Sequence, residues 1–225
     1  MIIVTGASRG LGRAIAGRLI SRKHTVFGLA RDVTDLPFDA LACDVGSYDQ
    51  VRAVAQELRR RKEPVDGLIN AAGIASMNLA LTTPSEVSRQ IIQTNLLGTI
   101  HCCQLFGPLI IRNKAGSIVN FSTIAVALGL KGESIYAASK AGVEAFSRAF
   151  AREMSSFNVT VNCIAPGPID TELLRGVSKA QVADIVARQV ITRQFTPDDV
   201  CDVVEILLAP QSRSLSGEVL HIGGV

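Results

Sequence analysis

Two patterns of apolar and polar positions alternate along the chain. The first is the short, unbroken apolar run. "MIIVT" (1–5), "HTVFGLA" (24–30), "DALAC" (39–43), "VDGLIN" (65–70), "GSIVNFS" (116–122), "VTVNCIA" (159–165) and "EVLHI" (218–222) are of this kind. Runs of about four to eight apolar residues without alternation are expected of strands covered on both faces. The second pattern has helical spacing and occupies residues 11–22, 48–62, 84–113, 135–157, 178–190 and 197–209. Strand, helix, strand repeated in this order predicts an α/β fold, a doubly wound parallel sheet of seven strands with helices on both faces. The stretch "RDVTDLPFDAL" (31–41) is short and holds a proline, so it crosses to the third strand without a full helix. No low-complexity linker or internal repeat divides the chain, and residues 1–225 read as a single domain.

Composition narrows the function. Hydrophobic residues make up 48% of the 225, enough for a large core, and the net charge of +3 gives no reason to expect nucleic acid. The one basic run, "RRRK" (59–62), reads as the solvated end of a helix. Five cysteines, Cys43, Cys102, Cys103, Cys163 and Cys201, lack metal-ligand spacing and read as buried thiols of a reducing cytoplasm. No metal is expected. No signal peptide and no stretch long enough to span a membrane is read from the hydropathy.

Chemistry enters with "TGASRGLG" (5–12), which follows the first strand and opens the first helix. Gly6 would permit the tight turn, Gly10 the approach of a pyrophosphate, and Gly12 close packing of helix on sheet. The helix N-terminus then offers N–H groups and partial positive charge to phosphates. The spacing is GxxxGxG, and its place after strand one points to a dinucleotide. An NAD site tends to carry an acid at the end of strand two, where this chain has Ala30 followed by Arg31. Arg9 and Arg31 suit a 2′-phosphate, so NADPH is favoured over NADH. Asp32 could pair with Arg31 or turn toward the ribose.

"YAASKAG" (136–142) puts Tyr136 and Lys140 at i and i+4, on one helix face. An ammonium beside a phenol is expected to stabilise the phenolate and lower its pKa. A phenol so tuned can protonate a carbonyl oxygen as hydride reaches the carbon. The small residues around the pair leave room for a cofactor and for a partner helix.

Together these motifs resemble the short-chain dehydrogenase/reductase family, near its 3-oxoacyl-carrier-protein reductase-like branch, over essentially the whole chain. "TGASRGLG", "DV" (44–45), "NAAG" (70–73), "QTNLLGT" (93–99), "PGPIDT" (166–171) and "LSGEVLHIGG" (215–224) carry the resemblance. It implies a Rossmann-type fold. It also implies cofactor contacts at Gly6, Ser8, Arg9, Gly10, Leu11, Gly12, Arg31, Asp44 and Val45. Further contacts are implied at Asn70, Ala71, Gly73, Tyr136, Lys140, Pro166, Gly167, Ile169 and Thr171. It implies catalytic roles for Asn95, which helps hold a water for proton relay to the lysine, and for Tyr136 and Lys140.

The family's catalytic serine stands thirteen residues before the tyrosine; here that position is Thr123, with Ser122 before it. Alternation along a strand should send the two hydroxyls to different faces, and Thr123 is the preferred candidate. The segment 173–192, with Leu173, Leu174, Val177, Val182 and Ile185, would close one side of the substrate site. Residues 74–81 with Leu128 and Leu130 would form the other. Such an apolar slot suits a ketone on an acyl chain, a small molecule or an acyl thioester. A carrier protein would need a basic rim, for which Arg112, Lys114, Arg175 and Lys179 are candidates, although Phe157 replaces an arginine frequent in that branch.

The expected function is therefore NADPH-dependent reduction of a ketone, foremost a 3-oxoacyl thioester, by a cytoplasmic homotetramer paired through helices 84–113 and 135–157. Two alternatives remain: an NAD-dependent dehydrogenase of a secondary alcohol or cyclic diol, and a non-catalytic NADPH sensor.

Overall fold

A computed structural model describes residues 1–174 and 177–225, with Leu173 described in its backbone alone. One sheet carries the strands β1 (Ile2–Thr5), β2 (Val26–Ala30), β3 (Ala40–Ala42), β4 (Gly67–Asn70), β5 (Gly116–Phe121), β6 (Val159–Pro166) and β7 (Val219–Ile222). Their order is β3-β2-β1-β4-β5-β6-β7, and every pair is parallel. The chain winds outward from β1 to β3, then returns and winds the other way from β4 to β7. The reversal lies between β1 and β4, where a crevice opens beyond the carboxyl ends of the strands.

Strand positions alternate between two cores, as a period of two requires. Ile3 packs with α2 (Tyr48–Arg61), α4 (Gly98–Ile111) and α6 (Ser134–Met154), through Val51, Leu58, Cys102, Phe106 and Met154. Ile2 and Val4 pack on the opposite face with α1 (Gly10–Ser21) and α8 (Pro197–Leu208), through Ile15, Leu19, Val200 and Val204. Both faces are covered, which explains the unbroken apolar runs. The single turn α5 (Ala125–Leu128) and the helix α7 (Lys179–Ala187) lie beyond the ends of β5 and β6. No helix forms between Arg31 and Asp39, as the proline-bearing crossover suggests.

The long helical segment predicted over 84–113 is built in three pieces. α3 (Ser85–Ile92) runs into a π-helical turn, Gln93–Leu97, and continues as α4. Here a correction is needed. The 27-residue stretch Ser85–Ile111 is long and apolar enough to cross a membrane by length and composition. Its apolar part is half buried inside the fold, because α4 faces the sheet and α2. A core helix covered on two sides meets the same criteria as a membrane span. All five cysteines are buried and unpaired. Burial raises their thiols, to about 11 at Cys43, Cys163 and Cys201 and to about 12 at Cys103.

Gly12 has the role read from the sequence. A Cβ there would meet the Gly6 carbonyl oxygen at 2.3 Å, so α1 approaches the β1 turn as closely as backbone allows. Gly12→Ala should cost about 1–3 kcal/mol from overpacking, against the roughly 1 kcal/mol alanine would otherwise gain in a helix. Urea unfolding checks this, and a variant as stable as the parent would contradict the close approach.

Candidate active site

The carboxyl ends of β1 to β6 enclose a cavity of about 750 Å³. At its nucleotide end lies the N-terminus of α1. Arg9 stands at the cap position without a side-chain cap, and the first turn holds no acid. By contrast α2, α7 and α8 are capped by Ser47, Ser178 and Thr196. The leading N–H groups of α1 are therefore available to an anion. Gly6, at φ +68°, turns the chain so tightly that a Cβ would come within 2.9 Å of Ala72 Cα. Thr5 Oγ1 accepts the Ala72 N–H at 3.0 Å and joins the ends of β1 and β4.

Beyond β2, Ala30 is buried and Arg31 is exposed on the cavity wall. Asp32 stands on the same cavity wall, bonded to Thr34 rather than to Arg31. Its carboxylate accepts from Thr34 N at 3.0 Å and Thr34 Oγ1 at 2.7 Å, which lowers its pKa. Arg9 Nη1 lies 3.5 Å from Glu172 Oε2, with both side chains largely solvated. Asp44 Oδ1 accepts the Gly46 N–H at 2.9 Å, turning the chain after β3. A pyrophosphate cradle, two guanidiniums and an apolar pocket in one cavity fit a nicotinamide dinucleotide.

At the other end lie Tyr136 and Lys140, both buried on α6. Lys140 Nζ donates to the Phe121 carbonyl at 2.8 Å, and a Cβ on Gly73 would come within 3.5 Å of the same nitrogen. Burial lowers the Lys140 pKa to about 8, with the Cys163 thiol acting in the opposite direction. Tyr136 differs from the sequence expectation. Burial pushes its phenol well above the usual value, the Glu133 charge adds to the rise, and a hydrogen bond with Thr123 opposes it. Desolvation of the phenolate outweighs any help from Lys140, whose ammonium is directed at a carbonyl.

The two hydroxyls of the β5 terminus separate as strand alternation requires. Ser122 is buried and donates to Glu144 Oε1 at 2.5 Å. Thr123 lines the cavity beside Tyr136, and its Oγ1 accepts the Ala125 N–H at 3.2 Å, which starts α5. Asn95 sits in the π turn, fully buried. Its side chain bonds both backbone groups of Ile74 at 2.9 Å and donates to Ser139 Oγ at 3.0 Å. Ser139 in turn donates to the Tyr136 carbonyl at 2.7 Å. Asn95 thus links the loop after β4 to the helix that carries Tyr136, and its side chain stays out of the cavity.

The other sequence candidates line the cavity, with one exception. Asn70 lies behind the wall, where its Nδ2 donates to Asn120 Oδ1 at 2.8 Å. On the substrate side Ile74, Met77, Leu130, Leu174, Val177 and Ile185 form the wall. Leu79 and Leu81 are exposed instead. The expected basic rim is corrected. α4 runs antiparallel to the strands, so Arg112 and Lys114 end up beside Pro64, Val65 and Asn158, at the amino ends of β4 and β6. Lys179 is exposed at the start of α7, and Arg175 and the Leu173 side chain fall outside the described residues. The sequence reading missed Glu133, a cavity residue whose spacing of three from Tyr136 already places the two on one helix face. It also missed Glu144 and Ser139, on the turns after Tyr136.

The chain matches the family model described as enoyl-(acyl carrier protein) reductase over residues 6–224. It is 30% identical to a 3-oxoacyl-[acyl-carrier-protein] reductase FabG of Staphylococcus epidermidis, over 99% of this chain and 96% of that protein. It is 34% identical to carbonyl reductase family member 4 of Xenopus tropicalis, over 98% and 95%. Among solved structures, the ligand-free aldohexose dehydrogenase of Thermoplasma acidophilum superposes with a TM-score of 0.90 at 28% identity, covering 99% of this chain and 92% of that one.

Two outcomes follow from this geometry. Thr123→Ala should lower kcat by about 10²-fold, the usual loss for one donor at a reacting oxygen. Ser122→Ala should instead cost about 1–3 kcal/mol of stability by stripping Glu144 of its buried partner. Equal kcat in the two variants would contradict the separation of the hydroxyls. Lys140 also makes stability depend on pH. Between about pH 8 and the ordinary lysine value of 10.5, the unfolded chain holds a proton that the fold has released. Stability relative to a Lys140→Met variant should therefore rise with pH across that window, by up to about 3 kcal/mol. Urea titrations of both proteins at pH 7.5, 9 and 10 check it, and a flat difference would refute it.

Proposed function

The chain belongs to the short-chain dehydrogenase/reductase family of oxidoreductases, and on that premise we propose that it reduces a ketone carbonyl with NADPH, foremost that of a 3-oxoacyl thioester. The observation that carries this reading is one cavity with the neighbouring hydroxyls of Tyr136 and Thr123 at one end and the uncapped N-terminus of α1 at the other.

NADPH, when bound, supplies hydride. Its pyrophosphate belongs on the turn Gly6–Gly12. Val45 and Asp44 line the adenine side, Ala71 and Gly73 the ribose side, and Pro166, Gly167, Ile169 and Thr171 the nicotinamide side. Arg31 and Arg9, with no acid at Ala30, support NADPH over NADH. Thr123 and Tyr136 hydrogen-bond the carbonyl oxygen, and Tyr136 gives it a proton. The burial that raises the phenol keeps it protonated at neutral pH, which is the form a donor needs. Lys140, at about 8, is still protonated at pH 7, stands one helical turn from the tyrosine, and is acid enough to return the proton. Asn95 acts through position, by holding Ile74 and Ser139 around this pair.

The apolar walls support a neutral acyl chain as substrate. So does the likeness to a protein named as a 3-oxoacyl-[acyl-carrier-protein] reductase. With Arg112 and Lys114 turned away, the recognised part is the thioester itself, and docking of a carrier protein contributes less. A cytoplasmic homotetramer joined through residues 84–113 and 135–157 is the assembly this reading carries, and light scattering checks it.

The decisive experiment follows NADPH oxidation by the purified protein with acetoacetyl thioesters beside small diketones and quinones. Turnover should be fastest with the thioesters. Tyr136→Phe should lose about 10³-fold in kcat, in the range for a positioned acid. Arg31→Ala should raise KM for NADPH about tenfold and leave that for NADH nearly unchanged, the expected loss of one fork to the 2′-phosphate. A parent protein that prefers NADH would overturn the assignment of the two arginines.

A further inference from the structure

The half of the cavity beside Tyr136 is walled by apolar side chains, among them Ile74, Met77, Leu130 and Val177. Glu133 lines the same half. It precedes Tyr136 by three residues at the start of α6, and its charge acts on the phenol. Glu133 is only partly exposed. Its carboxyl group makes no ion pair or hydrogen bond with any described residue. Among the described residues the one cation on this half is Lys140, whose ammonium is bound by the Phe121 carbonyl. Of the other cavity-lining carboxylates, Glu172 faces Arg9, Asp32 accepts from Thr34 and Asp44 accepts from Gly46. Burial raises the Glu133 pKa, as it should for an acid without a compensating charge.

A ligand bound beside Tyr136 lies in the same cavity that Glu133 lines. If the ligand carries its own carboxylate near the reacting carbonyl, two anions must share an apolar pocket whose one described cation, Lys140, is held by the Phe121 carbonyl. The ester or thioester of the same carbon skeleton brings no such charge and presents only carbonyl oxygens and apolar surface.

We propose that Glu133 is the specificity-determining residue of the cavity, an anion filter that admits neutral 3-oxo esters and thioesters and excludes the corresponding free 3-oxo acids. The inference rests on the ketone-reductase reading and deepens it by naming the substrate class.

The test compares acetoacetate with methyl acetoacetate, which share a skeleton and differ in charge at pH 7. The readout is the ratio of kcat/KM for ester over acid within each protein, so a general loss of activity cancels. The parent ratio should be roughly 10²-fold or more. In Glu133→Gln and Glu133→Ala it should fall at least about tenfold, chiefly through a lower KM for acetoacetate, as when one like charge is removed from a site. A ratio unchanged in both variants, or a parent that takes acid and ester equally, overturns the proposal. Saturation-transfer NMR with NADPH-loaded protein separates this from the wider reading. Should neither ligand turn over, binding of the ester alone by the parent, and of both by Glu133→Gln, sinks the ketone-reductase reading and keeps the filter. Equal binding of the two by the parent removes the filter as well.

Discussion

The hydrogen bond from Lys140 Nζ to the Phe121 carbonyl is the contact on which the site's geometry depends. It joins the second turn of α6 to the last residue of β5. One turn earlier on the same helix, Tyr136 is thereby brought opposite Thr123, the second residue past the strand. The bond stands in a place with little water, since Lys140 is 4% and Tyr136 8% exposed. An ammonium so buried must have a partner. The carbonyl supplies one and leaves the lysine with its proton near neutrality, easily lost to a phenolate. The same desolvation acts on both groups with opposite sign, since each is driven toward its neutral form.

Much of this was legible in the sequence because its causes are local. Seven apolar runs marked the strands to within a residue or two, since burial on both faces leaves no polar alternation. The order Gly6, Gly10, Gly12 after β1 and the spacing of Tyr136 from Lys140 are likewise local, and both ends of the cavity were found from them. The separation of Ser122 from Thr123 followed from the two-residue period of a strand.

What was not legible depends on tertiary placement. Arg112 and Lys114 looked available for a rim near the substrate. Their side of the molecule is decided by the antiparallel run of α4 against the sheet, and it takes them to the far edge. The phenol's pKa turns on how deeply α6 packs, which spacing alone does not reveal. Asn70 was read as a cofactor contact from its motif. In the fold it belongs to a buried polar chain that passes through Asn120 to Ser147 and Cys163, at 2.8, 2.8 and 3.2 Å. That chain ties β4, β5, α6 and β6 together behind the site. The π turn around Asn95 left no mark on the hydrophobic pattern, because the helix continues on either side of it.

The strand order has a temporal side. β1 needs both β2 and β4 as neighbours, and β4 ends at Asn70. A ribosome emitting this chain therefore releases everything required for the phosphate turn and its flanking strands while α6 is still unmade. The helix that bears Tyr136 and Lys140, and β7, the last strand at one edge, come afterwards and join a template that already exists. Domains tend to assemble in this N-terminal-first direction, and long-range parallel pairing is its slow step. A nascent chain of about half the full length already carries the strands that flank the Gly6–Gly12 turn, and the later half folds onto them.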